Sequence, residues 1–389
     1  MAQDKTGARV SVIASEDKSP AQNIGVINPY ALTEVLLKRR INWKRVTNPR
    51  AMLEKALEMP YEKLFDPKYG SPLYAGLSLE PGTSKMQRMP VAPTAPRLLR
   101  IVAEVAASAN WVDPGDFFEE ATELTDPVQG ALGDCYYIAA LASVAWARPY
   151  VIAQRTRATG TGQQSFDDMI EFFASGKPQK VEVTELLPLQ PPANTYIYAR
   201  SSEAGEIWPA VYEKAYAKWR TGAAGDTPDY SPLSGGDPVG ALVSLTGLTP
   251  YYESTSSQAA HDIWQKVRAS SISMKTFNPM VAWTYGSAPS PDVNYANAAI
   301  VANHAYSILG WGYVNNQEYI ILRNPWGTYE ATLNIEGGTW AAWDQPYYGG
   351  SGWWRPITLA TTDGIFGLRS DTFKKYFAGF GWVKTPEAP

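Results

Sequence analysis

Apolar residues recur at helical spacing in two stretches near the start of the chain. Residues 29–46, PYALTEVLLKRRINWKRV, and residues 49–65, PRAMLEKALEMPYEKLF, are predicted to form helices with one apolar face each. Residues before about 25 are polar and are predicted to be loosely structured. The run 79–100 contains four prolines and no periodicity, which predicts an exposed linker ending near Ala95.

Helical and strand-like patterns alternate in the middle of the chain. The alanine- and leucine-rich stretch from Asp134 to Ala147 is predicted to be a helix, with Asp134 near its start and Pro149 beyond its end. Residues 180–189 and 195–201 alternate between apolar and polar positions like strands. Residues 206–220, EIWPAVYEKAYAKWR, again show the spacing of a helix.

A change of pattern follows at residues 221–238, where Gly, Pro, Ser and Asp are concentrated and predict a boundary near Gly236. Beyond it, short runs of β type dominate, at 304–314, 318–326 and 353–359. The pattern therefore predicts an α+β fold with a mainly helical half followed by a mainly β half. The predicted units are an N-terminal extension, a first core subdomain and a second core subdomain, at 1–95, 96–236 and 237–389.

Composition narrows the functional classes. The chain has 389 residues with a net charge of −4, one cysteine and two histidines. A single cysteine excludes an internal disulfide, and so few Cys and His residues argue against a zinc site. The net charge shows no excess of basic residues of the kind that binds nucleic acid. The sequence also contains no run of about 18 apolar residues, so no membrane-spanning helix is predicted. The N-terminus lacks the pattern of a secretory signal, so a cytoplasmic location is expected.

The single cysteine, Cys135, lies where the predicted helix begins. A thiol reacts as its thiolate, and unpaired N–H groups and the dipole at a helix N-terminus favour that negative charge. Considered alone, a buried cysteine is most often an inert small apolar residue. The reactive interpretation therefore needs a second group, an imidazole able to hold the proton.

Two histidines are candidates for that imidazole. His261 lies in a helical, apparently amphipathic segment, whereas His304 begins a strand-like run. A turn at VNNQ and a returning strand would bring Asn324 beside His304. An asparagine carbonyl in that position fixes the tautomer and the orientation of the ring. The chain order Cys, His, Asn on segments of these types favours a nucleophilic cysteine over an inert one.

Several ordered blocks resemble the calpain family of papain-like cysteine proteases. They are QGALGDCYYIAALASVA, EIWPAVYEKAYAKW, LSGG, HAYSILGWG, LRNPWG and DGIFGLRSDTFKKYFAGFGWV, and they span roughly residues 110–385. The resemblance implies a papain-like fold with an active-site cleft between the two halves. It also implies an endopeptidase that cleaves proteins or peptides through a thioester acyl-enzyme.

The resemblance assigns roles residue by residue. Cys135 matches the nucleophile, His304 the general base and acid, and Asn324 the residue that orients the imidazole. Gln129 matches the side-chain donor of the oxyanion hole, and loss of such a donor raises the barrier by about 3 kcal/mol. Trp326 matches the indole that covers the His–Asn pair.

Calcium is the cofactor that the resemblance implies, with one site in each half. Asp126 and Glu206 match the carboxylates of the first site, and Glu330 and Asp363 match those of the second. The second site departs from the family pattern, because Ile365 stands where an acidic residue is usual and an apolar side chain cannot bind a hard cation. Glu336 is a candidate substitute. The chain contains no EF-hand pattern.

Two departures lie beside the catalytic residues: Tyr136 replaces the usual Trp, and Asn303 replaces the usual Gly. Both are expected to alter the shape of the cleft without removing a catalytic group. Residues 1–95 have no clear family counterpart. Their two apolar-faced helices motivate the hypothesis that this region docks on the core and obstructs the cleft.

Three other functions compete with the protease. The aromatic-rich segment 339–356 suggests a carbohydrate-binding module, although core tryptophans explain it equally. An inactive scaffold is disfavoured by the intact set of catalytic residue types. A transglutaminase-like transferase shares the Cys-then-His order but uses Asp in the third place, where this chain has Asn324.

Overall fold

The computed structural model of the chain describes residues 24–28, 31, 34–35, 77–78, 87–88, 105–119, 122–158, 167–332, 339–344, 353–359 and 363–385. Within the first predicted N-terminal helix, Ala31, Glu34 and Val35 are helical; the second, at 49–65, lies outside the described residues. Two short strands pair here: β1 (Leu77–Ser78) lies just before the predicted linker and β2 (Gln87–Arg88) lies within it.

A buried helix, α1 (Cys135–Ala147), stands at the centre of the fold. Twelve of its 13 residues are buried, from Cys135 through Trp146, so it is covered on every side. A helix that is apolar all around is stable only in such surroundings. The predicted bounds of this helix therefore agree with the structure, with Asp134 as the residue before its first turn.

Three further helices pack around α1, two before the predicted boundary near Gly236 and one directly after it. They are α2 (Pro149–Arg155), α3 (Trp208–Thr221) and α4 (Pro238–Thr246). Each carries a proline in its first turn, where the missing N–H costs nothing. The segment 206–220 was predicted to be helical, and α3 confirms it.

The first half contains more β-structure than the pattern predicts. One three-stranded sheet has the order β3–β7–β8, and another has the order β4–β5–β6. Most of these strands are short, which hides their periodicity in the sequence. Their bounds are β3 (Asn110–Val112), β4 (Thr156–Ala158), β5 (Asp167–Ala174), β6 (Lys177–Thr184), β7 (Leu187–Gln190) and β8 (Thr195–Tyr196).

A seven-stranded antiparallel sheet forms the second half, as the run of β-type segments predicts. Its order is β16–β13–β12–β11–β17–β9, with β10 added to β11. The strands are β9 (Thr249–Ser254), β10 (Ser271–Ile272), β11 (Lys275–Thr284), β12 (Ala305–Val314), β13 (Gln317–Arg323), β16 (Ile365–Arg369) and β17 (Phe377–Lys384). A separate ribbon pairs β14 (Thr339–Asp344) with β15 (Trp353–Thr358).

The helices of the second half are α5 (Ala260–Ala269), α6 (Tyr295–Ala298) and α7 (Ser370–Tyr376). The α5 segment was predicted to be an amphipathic helix, and it buries Ile263, Trp264 and Val267. Among the described residues, no helix is both long and apolar enough to cross a bilayer.

The hairpin of β12 and β13 is closed by a two-residue loop, Asn315–Asn316. Both asparagines have positive φ, at 50° and 61°. Tight hairpin turns need this left-handed backbone, and asparagine tolerates it better than most residues. The turn sets the register beside it, with Val314 opposite Gln317, and an irregularity between Ile308 and Gly310 then shifts the pairing by one residue, so that Ser307 lies opposite Arg323.

Side chains of α1 and the sheet join the two halves through hydrogen bonds to backbone groups. Ser143 Oγ donates to Met280 O and accepts from Met280 N, both at 2.8 Å. Ser307 Oγ donates to Ala139 O at 2.7 Å, and Trp146 Nε1 donates to Leu309 O at 2.6 Å. Because these groups are buried, each bond satisfies a polar atom that water cannot reach.

Replacement of Ser143 by alanine is expected to lower the free energy of unfolding by about 1–3 kcal/mol, because both backbone groups of Met280 lose their buried partner. Chemical denaturation followed by tryptophan fluorescence measures the loss. Ser257→Ala, at an exposed position, is the control. Equal stability of the two variants would contradict the proposed contribution of Ser143.

Candidate active site

Cys135 is the first residue of α1 and is completely buried. Burial raises the pKa of its thiol to about 12, although backbone N–H groups of Ala305 and Val26 act in the opposite direction. In this conformation the desolvation of the thiolate thus raises the pKa more than the N–H groups at the helix N-terminus lower it. Because Ala305 directly follows His304, the interaction of its N–H group with Cys135 brings the sulfur close to the backbone beside His304.

The imidazole of His304 is held by Asn324 at the open end of the β12–β13 hairpin. His304 directly precedes β12 and Asn324 directly follows β13, so strand pairing brings them together. His304 Nε2 lies 2.9 Å from Asn324 Oδ1. The amide of Asn324 is itself oriented, because its Nδ2 donates to Tyr329 O at 2.9 Å. The hairpin predicted from the sequence is therefore present, with these two side chains in contact.

This contact fixes the tautomer of the ring. Because Asn324 presents its oxygen, His304 Nε2 carries the proton and Nδ1 holds the free lone pair. His304 Nδ1 is buried and has no hydrogen-bond partner within the described part of the chain. Burial lowers the pKa of His304 to about 3, with a smaller opposing effect from Asn324. The ring is thus neutral at pH 7, with Nδ1 as its basic atom.

Aromatic rings enclose the imidazole. The centroid of Trp326 lies 4.9 Å from that of His304, and the centroid of Tyr306 lies at 4.9 Å as well. Trp326 is 4% exposed, and its backbone N–H donates to Asn324 Oδ1 at 3.1 Å. The indole thus shields the His304–Asn324 hydrogen bond from water, which would otherwise compete for it.

Gln129 is completely buried in the loop before α1. Its side-chain Nε2 donates to Val26 O at 2.5 Å and to Leu132 O at 2.6 Å. Its backbone N–H donates to Pro325 O at 2.9 Å, which ties this loop to the turn after β13. The side-chain amide therefore donates to the carbonyl oxygen of Val26, the residue whose own N–H donates to Cys135 Sγ.

A buried guanidinium braces the same loop. Arg323, the last residue of β13, donates to Pro127 O at 3.0 Å and to Thr125 O at 2.8 Å. Burial lowers its pKa to about 10, so it remains a cation at neutral pH. No sequence pattern predicts this role, since a basic residue at the end of a strand is usually solvated.

Asn303 and Tyr136, the two departures from the family pattern, both lie at the site. Asn303 has φ of +53°, a backbone conformation that glycine adopts freely and asparagine tolerates. Its Nδ2 donates to Gly25 O at 3.4 Å. Tyr136 is 2% exposed and its ring lies against Gly236, where a Cβ would come within 2.4 Å of it.

His261, the other candidate base, lies away from these groups. It is on α5, its side chain is 59% exposed, and its Nδ1 lies 2.5 Å from Glu318 Oε1. Gln265 Nε2 lies 3.2 Å from its other ring nitrogen. Its contacts are those of a solvated surface residue.

A buried pair of carboxyl groups lies next to the sulfur and was missed by sequence reasoning. Asp134 precedes Cys135, and its carboxyl group interacts electrostatically with that of Glu213 on α3. Burial raises the pKa of Asp134 to about 7 and that of Glu213 well above its usual value. Protonation of these carboxyl groups limits the negative charge beside the sulfur, where an ionised Asp134 opposes thiolate formation.

Asp126 and Glu206, the predicted first calcium pair, belong to a larger group of acids. Carboxylate oxygens of Glu123, Asp126 and Glu203 lie within 4.8 Å of one another. Burial and the nearby Glu206 raise the pKa of Asp126 to about 8, and burial raises that of Glu206 to about 7. Asp126 Oδ1 is buried without a hydrogen-bond partner in the described residues, so the donor set fits a hard cation.

Glu123 and Glu203 were not identified from the sequence. Each lies three residues before a predicted ligand, Glu123 before Asp126 and Glu203 before Glu206. This shared spacing of three residues is the sequence feature that could have indicated both residues as further candidate ligands. Their proximity depends on the parallel bridge between Asp116 and Glu206, which no local pattern predicts.

Glu330 and Asp363, the second predicted calcium pair, both accept hydrogen bonds from backbone N–H groups where β16 begins. Glu330 Oε1 accepts from Gly364 N at 3.1 Å, and Asp363 Oδ1 accepts from Ile365 N at 3.0 Å. Burial raises the pKa of Glu330, and the charge of Asp363 raises it further. Ile365 is buried at the start of β16 and offers no ligand atom. Glu336 lies outside the described residues.

Comparison with known proteins identifies the family. Residues 103–380 match the calpain family cysteine protease profile. A thiol protease of Porphyromonas gingivalis is 28% identical over 93% of this chain and 87% of its own length. The calpain-1 catalytic subunit of Homo sapiens is 30% identical over 58% of this chain but only 30% of its own length. Calpain clp-4 of Caenorhabditis elegans is 28% identical over 69% of this chain and 37% of its own.

The chain thus spans about a third of the length of these two calpains and most of the bacterial protease. The matched region contains Cys135, His304, Asn324, Gln129 and Trp326. Since the match extends over most of the sequence, the chain belongs to the calpain family of cysteine proteases.

Proposed function

We propose that the chain is a calcium-dependent cysteine endopeptidase that cleaves proteins through Cys135, His304 and Asn324. The observation that supports this proposal best is the 2.9 Å contact between His304 Nε2 and Asn324 Oδ1, which leaves the basic Nδ1 without a hydrogen-bond partner among the described residues. A core histidine would have both ring nitrogens satisfied.

Each catalytic group has a defined task. His304 Nδ1 takes the thiol proton of Cys135, and the sulfur attacks the carbonyl carbon of the scissile bond. The Gln129 amide and the Cys135 N–H hold the developing oxyanion. The protonated imidazole then gives its proton to the leaving amine, and a thioester remains on Cys135. Water, deprotonated by the same nitrogen, hydrolyses the thioester and restores the thiol.

We propose that calcium binds at Glu123, Asp126, Glu203 and Glu206. These acids are crowded and partly desolvated, so a divalent cation there would remove their mutual repulsion. The loop that carries Glu123 and Asp126 leads directly to Gln129, so the cation would stabilise the loop that carries the proposed oxyanion donor. Glu330 and Asp363 are proposed as a second, weaker site, because Ile365 removes one acidic ligand.

We propose proteins or peptides as the partners of the chain. A cytoplasmic location is also proposed, since it fits a chain with a single unpaired cysteine. The proposed domain organisation divides the chain at about residues 95 and 236. The carbohydrate-binding alternative gains no support from Trp340, which is buried against Trp146.

Cys135→Ala and His304→Ala are each expected to abolish cleavage of an unstructured protein such as casein, because the nucleophile or its base is lost. His261→Ala is the matched control and should retain the parent rate, since this histidine lies on the surface. Digestion followed by gel electrophoresis checks all three. Residual cleavage by Cys135→Ala, or loss of cleavage in His261→Ala, would refute the assigned roles.

Gln129→Ala is expected to lower kcat by about 100- to 1,000-fold, the usual effect of removing one oxyanion donor. KM should change much less, because the donor acts on charge that develops only in the transition state. Gln317→Ala, at an exposed position of β13, serves as the control. Peptide-substrate kinetics with unchanged kcat in Gln129→Ala would remove Gln129 from the oxyanion hole.

Strong chelation of calcium is expected to depress casein cleavage, and added calcium to restore it. Asp126→Asn should weaken calcium binding in isothermal titration calorimetry by at least about tenfold, because a charged ligand is lost from a carboxylate site. Asp262→Asn, exposed on α5, should bind like the parent. Identical binding by all three proteins would exclude the first site, and cleavage indifferent to chelator would exclude calcium dependence while leaving the protease intact.

A further inference from the structure

Five residues near the N-terminus, Ile24–Asn28, lie in the active site. All five are buried, although residues before about 25 were expected to be loose. Ile24 exchanges both backbone hydrogen bonds with Gly236, donating at 2.8 Å and accepting at 3.0 Å. This is an antiparallel pairing of the kind by which proteins bind extended peptides. We call residues 24–28 the cleft segment.

Val26, in the middle of the cleft segment, contacts both groups that catalysis requires. Its N–H donates to Cys135 Sγ at 3.4 Å, and its carbonyl oxygen accepts from Gln129 Nε2 at 2.5 Å. The sulfur thus uses a lone pair as a hydrogen-bond acceptor from an amide, while the oxyanion donor is already occupied by a carbonyl. A substrate peptide cannot reach either group while Val26 is in place.

Hydrogen bonds hold the cleft segment near both of its ends. Asn28 N donates to Gly130 O at 3.2 Å, and Asn28 Nδ2 donates to Gln129 O at 2.6 Å. On the opposite side, Asn303 Nδ2 donates to Gly25 O at 3.4 Å. Contacts therefore come from the loop before α1 and from the residue before His304. The segment bridges the two elements that supply the catalytic side chains.

Gly25 fits a space that accepts no side chain. A Cβ at this position would lie 2.3 Å from Gly133 O, 2.7 Å from Gly235 Cα and 2.8 Å from Gly235 N. All three are backbone atoms, so no flexible side chain can move aside. The close approach of the segment to the cleft wall thus depends on the absence of a Cβ at residue 25.

We propose that the cleft segment is an intramolecular inhibitor: in the closed chain it blocks Cys135, and the segment must leave the cleft before any protein substrate binds. The word inhibitor rests on the proposed protease function, whereas the blocking of the thiol rests on contacts alone.

The rate of alkylation of Cys135 by iodoacetamide tests this proposal in the full chain. Cys135 is the only cysteine, so one mass increment reports its accessibility. Gly25→Ala is expected to raise the rate at least about tenfold, since protection follows the equilibrium population of the open form. Gly225→Ala, where a Cβ meets no atom within 4 Å, is the matched control and should react like the parent. Equal rates for the parent and Gly25→Ala would overturn the proposal.

A peptide in trans separates release of the segment from general unfolding. The peptide QNIGVINPYA, residues 22–31, is expected to slow alkylation of the Gly25→Ala chain when added in excess. The same peptide with alanine in place of its glycine should not protect. Rapid alkylation that neither peptide slows would show a damaged fold instead of an emptied cleft, and would likewise contradict the proposal.

Casein cleavage measured on the same samples keeps the two proposals apart. Fast alkylation of Gly25→Ala without any casein cleavage would support the cleft segment as a block of the thiol and refute the protease. Casein cleavage at one rate by the parent, Gly25→Ala and Gly225→Ala, with equal alkylation, would support the protease and refute the inhibitor.

Discussion

The hydrogen bond between His304 Nε2 and Asn324 Oδ1 determines what the rest of the site can do. It assigns the proton to one ring nitrogen and leaves the other as a base. Strand pairing supplies the geometry, since the two residues flank the β12–β13 hairpin. The Asn324 amide is oriented by Tyr329 O, and Trp326 covers it. The position of His304 beside Asn324 thus depends on the pairing of β12 with β13, including the register shift between Ile308 and Gly310.

Burial of α1 is the second constraint. Because this helix is enclosed, its first residue, Cys135, can meet an imidazole only if the β half is packed against the helix. Ser143, Trp146 and Ser307 make that packing specific through hydrogen bonds to backbone groups. The same burial opposes the thiolate, so an active enzyme requires a more solvated cleft than the closed chain has.

Features with a local signature could be predicted from the sequence. The alanine-rich helix and the strand–turn–strand around VNNQ carry their periodicity in adjacent residues, so the place of Cys135 at a helix start and the contact of His304 with Asn324 could be predicted. The short strands β3, β4 and β8 carry too few residues for a period to be visible. Glu123, Glu203 and the cleft segment depend on pairings between distant parts of the chain, and a single sequence gives no measure of those.

Nitrogen NMR of the His304 ring in a His261→Ala chain tests the central claim most directly. With one histidine left, ¹⁵N labelling of histidine reports a single imidazole and distinguishes its two nitrogens. The account predicts that at neutral pH the ring is neutral, with the proton on Nε2 and none on Nδ1, and that Asn324→Ala disturbs this preference. A proton found on Nδ1 would contradict the account, because the nitrogen assigned as base would then have no lone pair with which to take the thiol proton.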